Sequence, residues 1–148
     1  MSIGQTPEDL GENDPETEAE RYTNLVNEIV RVNNNLPWFE IIILGIGEDG
    51  HTASIFPDQM ELLVSDRIFK VAVHPLSNQK RITITGKIIN NADKIYFLAA
   101  GRSKSSIVNK VINKKNDYLN YPASFIKTNK TKVLWFLDKE AASEIKTN

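Results

Sequence analysis

The chain has 148 residues, 41% of them hydrophobic and 25% charged, with 7 Gly and 6 Pro. Such values describe one globular domain, long enough to bury roughly two-thirds of its unfolded surface, and exclude disorder, collagen and coiled coil. A net charge of −1 supplies no general field for nucleic acid, and zero cysteines exclude disulfides and thiolate metal sites.

Two histidines leave little for a His-rich centre, so any metal would have to be bound by carboxylates. No run approaches the ~20 apolar residues that span a bilayer. Polar, acidic sequence follows Met1 where a signal peptide would need basic and then apolar stretches, and a soluble cytoplasmic protein is expected. Charge is unevenly placed: residues 1–20 carry acids only, whereas Arg102, Lys104, Lys110, Lys114 and Lys115 lie close together after Gly101. The basic group reads either as solvated faces or as the seat of an anion near Lys104. The aromatic or Arg-rich interleaving that duplex binding needs is missing, so neither nucleic acid nor membrane is an expected partner.

Residues 1–13 read as a loose polar leader and residues 14–148 as a single domain. Asp14 followed by Pro15 is a helix start, because the aspartate accepts from free N–H groups and proline stands where none is needed. Ala19, Tyr22, Leu25, Val26, Ile29 and Val30 then form one apolar stripe to about Val32, where Asn33, Asn34, Asn35 and Pro37 stop it. The β-branched run Glu40–Leu44 predicts a strand buried on both faces of a parallel sheet, and Phe69–Val73, Lys94–Ala99 and Lys132–Leu137 look similar. Arg81–Thr85 alternates as a fifth strand would. Ser103–Asn113 predicts a helix capped by Ser103, with Ile107, Val108, Val111 and Ile112 on one face. Strands alternating with helices argue an α/β fold: a Rossmann-like, largely parallel sheet with helices on both faces and ligands at the carboxyl ends of its strands.

That rule directs attention to Gly45–Pro57, the loop after the first strand of the sheet. It opens with a formal G-x-G-x-x-G, but Glu48 and Asp49 would place two anions in a pyrophosphate cradle, and Phe69–Val73 ends in His74-Pro75 without the ribose-binding acid. The loop offers instead Asp49 and His51, a carboxylate able to orient an imidazole and free its second nitrogen to take a proton. Ser54 lacks a nucleophile elbow, so attack by a His51-activated water is the simpler chemistry. On residue types alone, Asp-x-His fits a general base and a structural histidine almost equally, and His74 reads as structural.

The segment Gly45-Ile46-Gly47-Glu48-Asp49-Gly50-His51-Thr52-Ala53-Ser54-Ile55-Phe56-Pro57 resembles the signature of the 6-phosphogluconolactonases, within the superfamily that also holds glucosamine-6-phosphate deaminase. The likeness extends to Glu18–Tyr22, to Pro75 with Lys80–Thr85, to Gly101–Lys104, to Tyr121–Ser124 and to Val133–Asp138 with Ala141 and Ala142. It implies hydrolysis of 6-phosphoglucono-1,5-lactone to 6-phosphogluconate, a sugar-phosphate lactone as small-molecule partner, and no cofactor or metal. By the same resemblance His51 is the base and Asp49 its support, while Gly47, Gly50, Arg81 and Lys104 bind substrate. An arginine fork and a lysine at a helix start both suit a phosphate. The deaminase branch carries a relay glutamate where this chain has Phe56, which favours the lactonase side; a sugar-phosphate-binding module without turnover is the alternative. The resemblance further implies a C-terminal part of a lactonase, without the family's N-terminal phosphate loop. It also implies a monomer, with a sheet edge open to association.

Overall fold

The computed structural model describes residues 14–128 and 130–145; the leader assigned to residues 1–13 lies outside them. Helix α1 spans Pro15–Ile29, and Asp14 caps it as expected, its Oδ2 accepting from the Thr17 amide at 3.1 Å. It ends three residues before Val32. Strands β1 (Val32–Asn33) and β2 (Leu36–Pro37) form a small antiparallel hairpin there. Asn34 and Asn35 turn it in the left-handed region, at φ 55 and 61, a conformation asparagine tolerates better than most residues. The asparagines therefore do more than stop a helix. Asn91 Nδ2 ties the hairpin down, 3.0 Å from the carbonyls of both Asn33 and Pro37.

Strand β3 (Ile41–Gly45), β6 (Lys94–Ala99) and β7 (Leu134–Leu137) make a parallel sheet in the order β3-β6-β7. Between them in sequence lie β4 (Phe69–Val73), β5 (Lys80–Ile84) and the short helix α2 (Gly86–Asn90). The expectation that Phe69–Val73 is another parallel strand is corrected: β4 and β5 pair antiparallel as a separate ribbon. Residues 74–79 are too few for the crossover that parallel neighbours require, so the chain can only fold back on itself. Helix α1 packs on this ribbon, with Val26, Ile68 and Ile88 buried together and the Tyr22 and Phe69 rings edge to face at 5.2 Å.

The larger core lies on one side of the parallel sheet, where Leu44, Ile95, Phe97 and Ala99 meet Ile107, Val108 and Val111 of helix α3 (Ser105–Ile112). Phe97 and Trp135 stack at 4.2 Å. Ser103 does not cap α3. Arg102–Lys104 forms a 3-10 turn, and the Ser105 hydroxyl lies 2.8 Å from the Arg102 carbonyl.

The expectation of a β3 buried on both sides is also corrected. On the face opposite α3, Ile41, Ile43, Leu98, Leu134 and Phe136 are 48–61% exposed, so among the described residues the pleat puts one row of each strand in the core and the other in solvent. No helix of the described residues is long and apolar enough to cross a membrane.

Contiguous exposed apolar residues of this extent bind apolar probes. Replacing Leu98 and Phe136 by lysine should lower binding of an environment-sensitive dye to the 148-residue chain, while unfolding shows a stability change of about 1 kcal/mol or less. Unchanged dye fluorescence would place the probe elsewhere.

Candidate active site

The loop after β3 leaves the sheet at Gly45 and returns to the core at Ile55 and Phe56, neither of which has any exposed surface. Thr52 holds its middle, donating from Oγ1 to the Gly45 carbonyl at 2.9 Å, and the Ser54 amide donates to Thr83 Oγ1 of β5 at 3.0 Å. Two tight turns fill the span between: Gly50 N to the Gly47 carbonyl at 3.0 Å, and Gly47 N to the His51 carbonyl at 2.9 Å. Asp49 turns back on His51, its Oδ1 accepting from the His51 amide at 3.1 Å and lying 2.6 Å from Nδ1 of the ring. A carboxylate only accepts, so Nδ1 carries a proton, and it is Nε2 that presents a lone pair whenever the ring is neutral. No described residue bonds Nε2, and the imidazole is partly exposed.

The glycines of the loop have steric reasons of their own. A Cβ on Gly47 would stand 2.1 Å from His51 Nδ1 and 2.5 Å from Asp49 Oδ1, because the acid and the ring lie directly over that residue. Gly50 has φ +81, and a Cβ there would stand 2.6 Å from Tyr121 Cβ.

Phe56 packs under the imidazole at 4.9 Å, and its other side meets the His74 ring edge-on at 5.2 Å. The wall of the site at that point is apolar. Consistent with its reading from sequence, His74 serves its own turn, Nδ1 accepting from the amides of Leu76 and Ser77 at 3.3 and 3.2 Å.

Arg81 stands on β5 opposite Ala72, two residues from Thr83 and therefore on the same side of the strand as the residue that holds Ser54. Its one side-chain hydrogen bond among the described residues, from Nη2 to Gln79 Oε1, is long at 3.4 Å. Lys104 lies in the turn after β6. Since Gly45 of β3 pairs with Leu98 of β6, the His51 loop and the Lys104 turn leave the same sheet edge side by side. Neither Arg81 nor Lys104 has an acidic partner among the described residues, and no group of three or more His, Cys, Asp or Glu there could hold a metal. The structure thus brings Asp49 and His51 into contact and puts Arg81 and Lys104 on the strand and turn that flank them, without a direct contact between either cation and the dyad.

Two residues in the resembling segments have roles that the sequence did not assign. Asp138, after β7, accepts from Gly101 N at 3.0 Å through Oδ2 and from Ala141 N at 2.7 Å through Oδ1, which anchors the start of the Lys104 turn. These amides, Ala141 first, hold its carboxyl below the usual range. The other is Tyr121, whose hydroxyl meets Lys110 and Asp117; the spacing of the basic residues after Gly101 announces no tyrosine partner for Lys110.

An open α/β protein with an acid–imidazole loop at the carboxyl ends of its parallel strands is the class that fold and site define. Residues 3–135 match the family model described as glucosamine-6-phosphate isomerases/6-phosphogluconolactonase, and the chain belongs to that family. It is 37% identical over 134 residues to a 6-phosphogluconolactonase of Synechocystis sp., covering 90% of this chain and 55% of the relative. To the 6-phosphogluconolactonase of Haemophilus influenzae it is 38% identical, over 88% of this chain and 54% of the relative. The crystal structure of a devB protein superposes with a TM-score of 0.86 at 38% identity, over 93% of this chain and 57% of that one. A 6-phosphogluconolactonase from Trypanosoma brucei shares the fold, with a TM-score of 0.78 at 24% identity over 98% of this chain and 58% of that one. The chain spans about half the length of the relatives it matches.

Gly47→Ala should leave helix and sheet content unchanged and separate His51 from Asp49, so that the low-field imidazole proton of the parent disappears from its NMR spectrum; persistence of that proton would contradict the packing described. Because the Asp138 carboxyl is held below the ordinary carboxylate range, its contribution is present above that range and fades as pH falls through the lower, folded-state value. Protection of the Gly101 amide, taken relative to the intrinsic exchange rate at each pH, should therefore fall on acidification below the ordinary carboxylate range, roughly pH 4. In Asp138→Asn it should already be low at neutral pH, since a carboxamide has one acceptor oxygen for two amides.

Proposed function

We propose that this chain carries the hydrolytic site of a 6-phosphogluconolactonase, with 6-phosphoglucono-1,5-lactone as substrate and 6-phosphogluconate as product. The observation that carries the reading is the 2.6 Å contact between His51 Nδ1 and Asp49 Oδ1, which leaves Nε2 as the basic atom. His51 Nε2 takes a proton from water as its oxygen attacks the lactone carbonyl carbon. The tetrahedral intermediate collapses by breaking the bond from that carbon to the ring oxygen, which recovers the proton from the imidazolium. Asp49 stabilises that cation and keeps the ring in one tautomer.

Arg81 and Lys104 hold the phosphate: their positions flank the loop, and no described carboxylate neutralises them. Gly47 and Gly50 keep the backbone close enough for substrate to approach the dyad. Buried Phe56 argues for lactone opening over isomerisation with deamination, because an apolar ring against the imidazole offers no second proton carrier. An ester is already electrophilic, so one base, worth typically ~10²–10⁴ in rate, suffices.

Hydrolysis of freshly generated 6-phosphogluconolactone, measured against its spontaneous rate, tests the proposal. The parent should exceed background, and His51→Ala should lose turnover by ~10²–10⁴ with little change in affinity for 6-phosphogluconate. Arg81→Ala and Lys104→Ala should each weaken that affinity, by roughly tenfold for a lost charge-assisted bond. Equal turnover by His51→Ala and the parent would refute the base assignment. Binding of 6-phosphogluconate without turnover by the parent would leave a sugar-phosphate-binding module.

A further inference from the structure

Gly50 is the single residue between the acid and the imidazole, and the segment after α3 grips it from two sides. The Tyr121 side chain lies on its α-carbon, where a Cβ would stand 2.6 Å from Tyr121 Cβ and Cδ1, and the Ala123 amide donates to the Gly50 carbonyl at 3.1 Å. The tyrosine is itself fixed. Its hydroxyl donates to Asp117 Oδ2 and accepts from Lys110 Nζ at 2.9 Å, while Lys110 Nζ also reaches Asp117 Oδ2 at 3.0 Å and lies 5.3 Å from the centre of the Tyr121 ring.

Lys110 belongs to the last turn of α3, and the Lys104 turn immediately precedes the first. A helix of 8 residues is a rod of about 12 Å. One short, rigid element therefore carries the candidate phosphate-binding lysine at one end and the tether of the dyad's backing at the other. We propose that Tyr121, pinned by Lys110 and Asp117, is a positioning residue that holds the Gly50 turn so that the His51 imidazole stays on Asp49. The inference rests on His51 as the base, and it concerns a residue that touches no substrate.

The charges that pin the tyrosine are durable. Hydrogen bonds from Tyr121 and then Lys110 hold the Asp117 carboxyl below its usual range, and the bonds of Lys110 to Tyr121 and then to Asp117 raise its own ammonium above the usual value. A merely space-filling tyrosine would change stability when removed, but not the state of the imidazole. The two roles are separable by measurement.

The experiment uses the 148-residue chain, the Tyr121→Ala and Tyr121→Phe variants, and circular dichroism to establish folding. NMR reads the His51 Nδ1 proton, amide exchange reads the Ala123–Gly50 bond, and lactone hydrolysis is followed in parallel. Tyr121→Ala should lose the low-field Nδ1 proton and, with the imidazole displaced by about 1 Å, lower kcat by ~10²-fold at unchanged KM. Tyr121→Phe keeps the ring on Gly50 and loses the tether, so exchange at Ala123 should rise roughly two- to tenfold while the Nδ1 proton is retained. A folded Tyr121→Ala with the parent's His51 signal overturns the proposal. Should that variant not fold, Tyr121→Phe decides, and parent-like exchange at Ala123 overturns it. Loss of the Nδ1 proton in a chain that never turns over lactone supports the positioning role and removes the lactonase reading. Turnover and an Nδ1 signal both indifferent to Tyr121 remove the positioning role alone.

Discussion

The loop after β3 is governed by the burial of Ile55 and Phe56. Both side chains are wholly inside, and each contributes about 1.5–3 kcal/mol on leaving water, so the chain must re-enter the core ten residues after Gly45 closes the strand. The intervening residues are held in by the Thr52 hydroxyl, which bonds the Gly45 carbonyl. They fold into two tight turns whose hydrogen bonds run Gly50 to Gly47 and Gly47 to His51, and the acid and imidazole are stacked over Gly47. The dyad is a product of that confinement. An aspartate two residues before a histidine in an unconstrained loop would have no reason to meet its ring.

Around this turn the supports come from elements distant in sequence. Thr83 of β5 receives the Ser54 amide, Tyr121 and Ala123 close on Gly50, and Asp138 holds the entry to the Lys104 turn. Each is a hydrogen bond or packing contact that joins the loop or its neighbour to a different part of the chain. The positions of Arg81 and Lys104 follow from the same framework. Arg81 is carried by the strand that holds Ser54, and Lys104 by the turn that leaves the sheet beside the loop.

The sheet that carries this edge is one-sided among the described residues. Its inner rows meet α3 and the loop, while Ile41, Ile43, Leu98, Leu134 and Phe136 face outward. β-branched and aromatic residues in a strand are ordinarily shielded on the pleated face they form, so an exposed row of this kind is a surface with unspent binding capacity. The relatives carry about as much chain again as the portion matched here.

From the sequence alone came the α/β class, the capped first helix, the parallel strands at Glu40–Leu44, Lys94–Ala99 and Lys132–Leu137, the family, and the Asp49–His51 loop as the proposed place of the chemistry. These are local signals: a cap is a matter of adjacent residues, a strand of β-branched runs, and the loop motif a string of contiguous letters. Tertiary structure decided what depends on residues far apart. Phe69–Val73 has the composition of a buried parallel strand, but the short link to Lys80 makes it half of an antiparallel ribbon. Ile41 and Ile43 have the pattern of a core strand, but burial depends on what covers a face, and no property of the strand itself encodes that. Tyr121 and Asp138 lie in segments that carry the resemblance, but their roles stayed unassigned for the same reason. A tyrosine that backs a glycine 71 positions earlier, and an aspartate that caps a turn 37 positions away, act only once the sheet has brought those backbones together.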